Sequence, residues 1–347
     1  MVAAFNSLLS VLTLAIGTIA LGPSSFAVEP SACLNQLREI IGSSDLPRHF
    51  VHPDATHTQM ANEFLKATQE VYALLPKEFK RPQHVDLDLI SKRGKGSFCN
   101  TGEGKIVCEA LMSDRIYKNH GVEALKGDLA VHVHELSHLI SYENYHAPGS
   151  RLEVFLHDYE HPFLKPELEA TINADQRMTQ AELEYENASK ETNERLADQK
   201  YATFENLEKD FKLAQARLLR KRAFWQAYDE VFADLIAVSW SKDPQVIAKK
   251  TRETLLRTND ARDFSIPRAV TGWISDDVHN DFSPVRSHLW SRYLEKDPAC
   301  ATRLIGATHR ALLHEIDATL ANPKLYEMSL AQKNQRFIDE VDREMKK

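Results

Sequence analysis

Residues 128–143 read DLAVHVHELSHLISYE, and the rest of the chain is best understood outward from them. Leu129, Val133, Leu136 and Ile140 recur at intervals of three and four, which marks one face of a helix. Gly127 and Asp128 supply a start signal, and Pro148-Gly149 follows soon after the last turn. Within this predicted helix lies His134-Glu135-Leu136-Ser137-His138. Histidines four positions apart sit on one face about one turn apart, so both imidazoles can reach a single Zn2+ ion. Glu135, beside the first of them, can meet a water held at such an ion without displacing it, which is the reach a general base needs.

Upstream, residues 84–90 (HVDLDLI) alternate polar and apolar in the manner of a half-buried strand. Two more short strands, 97–99 and 105–110, flank the turn-rich tip Asn100-Thr101-Gly102-Glu103-Gly104. A small antiparallel sheet is therefore expected just ahead of the histidine helix. Residues 28–83 read as helical, with an amphipathic run over 60–75.

Downstream, residues 167–245 contain a single helix breaker, Pro244, and should be mostly helical. Met178, Ala181, Tyr185 and Ala188 form one apolar series, and Phe204, Leu207, Phe211, Ala214 and Leu218 another. The polar run 189–193 separates them, so two long helices should meet at a turn. Such a hairpin either braces the core or reaches for a protein partner. Next comes AFWQAYDEVFADLIAVSW over 223–240, apolar nearly all round and hence a buried helix. Asp229, Glu230 and Asp234 interrupt it, and buried carboxylates are costly unless paired or metal-bound. The fold class expected is α+β, predominantly helical, with 28–347 as one domain. Its parts are a helical region 28–83, sheet and motif helix 84–163, helical insertion 164–222 and helical lobe 223–347.

Two histidines need a third protein ligand. The metzincin extension requires Gly at 141 and His at 144, where this chain has Ser141 and Asn144. The other common route is a downstream Glu with an Asp four residues later, and both Glu194…Asp198 and Glu230…Asp234 fit it. Glu194 lies in the polar turn region. Glu230 lies in the most apolar helix, where an unpaired carboxylate costs several kcal/mol, so Glu230 is the expected ligand. Asp234 is then placed to accept a hydrogen bond from a ligand imidazole.

HELSH followed by EVFAD resembles the gluzincin zinc metallopeptidases, the class that includes the thermolysin-like enzymes. The resemblance implies a zincin-like core, one zinc per chain on His134, His138 and Glu230, Glu135 as general base and Asp234 as support. It also implies a peptide or protein substrate lying along an edge strand, with residues 104–110 as the candidate. A His or Tyr should stabilise the developing oxyanion; His279 is favoured over Arg286, His288 and Tyr228. A reading from a different class is a metal-stabilised binding module that recruits a partner through the long helices.

The 347 residues are 27% charged and 43% hydrophobic, with 12 Gly and 14 Pro, which excludes collagen-like and fully disordered chains. Net charge is −7, and no stretch supplies the basic footprint that nucleic acid requires. The first 28 residues carry no Asp, Glu, Lys or Arg, and small residues precede a cut after Ala27, so 1–27 reads as a signal peptide of an exported protein. If uncleaved, the same segment would anchor the chain in a membrane. In an exported chain, four cysteines favour disulfides, with Cys99–Cys108 and Cys33–Cys300 the expected pairs.

Overall fold

The computed structural model describes residues 48–53, 61–82, 84–90, 98–100, 105–109, 121–145, 151–158, 160–190, 193–255, 260–272 and 278–347. The segment 1–27 and Cys33 lie outside these residues. Strand β1 (Arg48–Pro53) is followed by helix α1 (Ala61–Leu74), strands β2 (His84–Ile90), β3 (Phe98–Asn100) and β4 (Lys105–Glu109), and the motif helix α2 (Lys126–Tyr145). Helices α3 (Arg151–His157), α4 (Lys165–Ser189), α5 (Glu194–Arg222), α6 (Gln226–Ser241), α7 (Val246–Leu255), α8 (Ser283–Leu289), α9 (Ala301–Ala321) and α10 (Leu330–Glu344) complete a predominantly helical chain. No helix among the described residues is long and apolar enough to cross a membrane.

The sheet departs from expectation in three ways. Its order is β1-β2-β4-β3, with β1 and β2 parallel, β2 and β4 parallel, and only β3 and β4 antiparallel. It is therefore mixed rather than antiparallel. Strand β1 falls inside the region read as helical; RHFVHP is too short to carry a period and gains strand form by pairing with β2. Strand β4 is interior, hydrogen-bonded on both sides, so Lys105–Glu109, the described part of the candidate segment 104–110, cannot accept an added peptide strand; the edges are β1 and β3. Val85, Leu87 and Ile106 are buried, at alternate positions in β2 and on its neighbour, which is the core face of the pleat. The register sets Cys99 opposite Ile106. Cys300 is buried with a free thiol, and the partner expected for it, Cys33, is outside the described residues.

Helix α1 buries Phe64, Ala67 and Val71 along one stripe. Helix α2 is buried over most of its circumference rather than along a single stripe, because polar residues on its other faces find partners. His132 meets Thr68 Oγ1 at 2.8 Å, and the Ser137 hydroxyl donates to Val133 O. Helix α6 is buried from Ala227 to Ser239 with only Glu230 partly exposed, and it packs directly on α2. Lys250 of α7 forms a buried ion pair with Asp128 at the start of α2. Lys250→Ala should destabilise the fold by about 3 kcal/mol, since it removes the cation from a buried carboxylate. The double variant Asp128→Asn/Lys250→Met should recover most of that loss; urea unfolding of both checks it.

Helices α4 and α5 form an antiparallel pair, with Glu167 on Lys221 (2.7 Å) at one end and Glu184 on Lys200 (2.6 Å) near the other. The Asn193 side chain caps α5 by accepting from Leu196 N. In the core, the ring of His309 on α9 sits against Phe79, Phe232 and Tyr145, with centroids 4.8, 5.4 and 5.9 Å away. Burial pushes its pKa down to about 4 from 6.5. Between those values the unfolded chain binds the extra proton, so stability is fully present above pH 6.5 and is lost as pH falls towards 4. This one ring accounts for about 3 kcal/mol of acid sensitivity. His309→Phe should flatten that part of the profile in denaturant unfolding at pH 7 and pH 4.5.

Candidate metal centre

The helical period of α2 brings His134 and His138 to the face that meets α6, and there Glu230 projects between them. The His134 and His138 Nε2 atoms are 3.1 Å apart, with the two rings nearly perpendicular. Glu230 Oε2 lies 3.4 Å from His134 Nε2, and Glu230 Oε1 lies 3.5 Å from His138 Nε2. Zinc–ligand bonds of about 2.0–2.1 Å set the donors of a tetrahedral site roughly 3.3–3.4 Å apart. The two Nε2 atoms and the Glu230 carboxylate, which turns Oε2 to one imidazole and Oε1 to the other, therefore suit one zinc ion. Among the described residues Glu230 Oε2 is buried and makes no hydrogen bond, although the imidazoles of His134 and His279 each lie 3.4 Å away.

Each imidazole is aimed from behind by a carboxylate. His138 Nδ1 is 2.7 Å from Asp229 Oδ2, and Asp229 is fixed in turn by the hydroxyls of Ser141 (2.5 Å) and Tyr145. His134 Nδ1 is 3.0 Å from Asp234 Oδ1. With both Nδ1 atoms engaged, both Nε2 atoms face the common point. Asp234 is fully buried and carries two guanidiniums as well. Arg262 donates to it through Nε (3.1 and 3.2 Å) and Nη2, and Arg286 donates through Nε at 2.8 Å.

The titration of these groups reflects their crowding. Burial pushes the His138 imidazole down, but Asp229 and Glu230 more than offset it and the pKa rises to about 10. His134 also rises: burial and Arg262 lower it, and Glu230 and Asp234 outweigh them. Burial disfavours the Glu230 and Asp234 carboxylates, yet the imidazoles hold Glu230 low and the guanidiniums hold Asp234 well below its usual range. In formal charge, Glu135, Asp229, Glu230 and Asp234 face Arg262 and Arg286. Two negative charges are left over, which two imidazole protons or one divalent cation can offset.

The residues expected from the sequence fall as follows. His134, His138 and Glu230 converge, Asp234 supports His134, and Glu135 is buried beside them, close enough to act on both His138 and Arg262. His279 Nε2 lies 3.4 Å from Glu230 Oε2, with its side chain 40% exposed. Arg286 is committed to Asp234, and His288 to Asp342 at 2.7 Å. Tyr228 packs in the core against Phe282 and Phe337, away from the cluster. The roles of Asp229 and Arg262 were not foreseen. Asp229 was visible as a carboxylate in an apolar helix, but its partner lies 91 positions away. Arg262 sits in a turn-rich stretch with no periodic signal.

A second grouping, His314, Glu315 and Glu340, brings similar atoms together. Arg336 binds Glu315 through two bonds of 3.0 and 3.1 Å, and Arg343 pairs with Glu340, so this is an ion-pair network. Compared with protein-family models, curated proteins and solved structures, the chain finds no match in any of the three.

Proposed function

We propose that this chain is an exported zinc metallopeptidase of gluzincin type, holding one Zn2+ on His134, His138 and Glu230. The observation that carries the reading is the convergence of those three donors at tetrahedral spacing. Bound there, zinc would acidify a water and polarise a carbonyl. Glu135 takes a proton from the attacking water as its oxygen bonds to the peptide carbonyl carbon. The same carboxyl then returns the proton to the departing nitrogen as the C–N bond breaks. Asp229 and Asp234 hold the imidazoles in register throughout. For an extended peptide, the edge strand β3, beside the interior β4, is the strand to which it would add.

The second reading, a metal-stabilised module that binds a partner, draws support from the exposed Leu183, Tyr201 and Leu213 on the α4–α5 pair. Elemental mass spectrometry on the purified chain tests the metal on which both depend. One zinc per chain is expected, falling below a tenth in Glu230→Ala. A zinc-free wild type after reconstitution would sink the peptidase reading, whereas zinc retained in Glu230→Ala would remove Glu230 from the ligand set.

A further inference from the structure

We propose that Arg262 is a further catalytic residue of this site, donating to the oxygen of the scissile carbonyl as negative charge develops there. This inference rests on the metallopeptidase reading. Arg262 Nη2 lies beside the His134 ring, 3.0 Å from Nδ1 and 3.2 Å from Nε2, and 3.8 Å from Glu230 Oε2; Nε2 and Oε2 are two of the atoms assigned to the metal. A carbonyl oxygen drawn to the point where those donors converge is drawn to this guanidinium as well. Nε and Nη2 are held by Asp234, while Nη1 makes no hydrogen bond to a described residue. The side chain is only 10% exposed. It is thus a permanent charge, fixed before substrate arrives, in poorly solvated surroundings where such a donor is worth most.

The neighbouring cations are less suited to the task. Arg286 is fully buried, and its hydrogen bond into the cluster goes to Asp234. It keeps Asp234 ionised and so keeps Arg262 in place. His279 is 40% exposed, and its Nε2 already faces the ligand carboxylate. Hydration weakens what a donor there can contribute.

The test uses the zinc-loaded full chain and acetohydroxamate, a small anionic zinc ligand, with neutral imidazole as a second probe. Wild type, Arg262→Met, Arg262→Lys and His279→Ala are compared by titration calorimetry, with the metal content of each measured alongside. All four should hold one zinc. Acetohydroxamate should bind about tenfold or more weakly to Arg262→Met, with Arg262→Lys between it and wild type. Imidazole affinity should stay within about twofold, a pattern that mere distortion of the site would not produce. Arg262→Lys keeps an ion pair for Asp234, so it reports even if Arg262→Met does not fold. Zinc-loaded Arg262 variants that bind acetohydroxamate like wild type would overturn the role of Arg262 and leave the metal reading standing. A wild type without zinc would overturn the metal reading itself. A tenfold loss in His279→Ala alone would give the role to His279.

Discussion

Asp234→Ala should cost about 3–5 kcal/mol of stability and, on the proposed metal reading, should also abolish zinc binding. Asp234 is fully buried and neutralises two guanidiniums while steadying the His134 ring. Its removal strands Arg286, which is itself completely buried and whose Nη1 and Nη2 make no hydrogen bond among the described residues. A buried cation stripped of its counter-ion is among the costliest defects a fold can carry. Arg262 loses its anchor in the same step and is left as a loose positive charge beside His134 Nε2, where it opposes a divalent cation. Asp234→Asn keeps the shape but removes the charge, and should show the same two losses at smaller scale. Urea unfolding and metal analysis read them separately. Stability within about 1 kcal/mol of wild type would mean that the guanidiniums find other partners and that Asp234 is not the hub of the charge cluster.

How much of this was legible beforehand depended on how local each signal was. The spacing of His134 and His138 is a property of one helix, and the apolar run 223–240 announces burial by composition alone. Glu230 could be singled out because the cost of burying a carboxylate is a physical constraint, present before any contact is known. Asp234 could be placed behind an imidazole by the same reasoning, but its two arginines could not, since 262 and 286 lie in irregular or short elements that contribute no period. The Tyr145–Asp229–His138 relay was hidden for a related reason: a single apolar stripe on α2 says nothing about which polar residues on its other faces will be covered. Strand β1 was misread because six residues acquire strand form from a partner 36 positions away. What periodicity conveys is which face is buried; the pairing of strands and of charges is decided by closure of the chain.

Glu135→Gln should abolish hydrolysis while leaving the zinc in place. A general base or acid of this kind is worth roughly 10²–10⁴-fold in rate, and glutamine neither accepts the proton from water nor returns it to the leaving nitrogen. The substitution is nearly isosteric, and Glu135 is not one of the three converging donors, so neither packing nor zinc binding should suffer. That separates chemistry from architecture. On the metallopeptidase reading, Asp234→Ala and Glu230→Ala should lose activity by losing metal, whereas Glu135→Gln should lose it at full zinc occupancy with unfolding unchanged. The check is cleavage of unfolded protein such as casein, or of a mixed peptide library, read by mass spectrometry alongside metal content. Measurable cleavage by wild type and none by zinc-loaded Glu135→Gln is the outcome the mechanism demands. Equal cleavage by both would move the base to another residue. If neither cleaves any substrate while both hold zinc, the peptidase reading gives way to the binding module, in which Glu135 has no proton to carry.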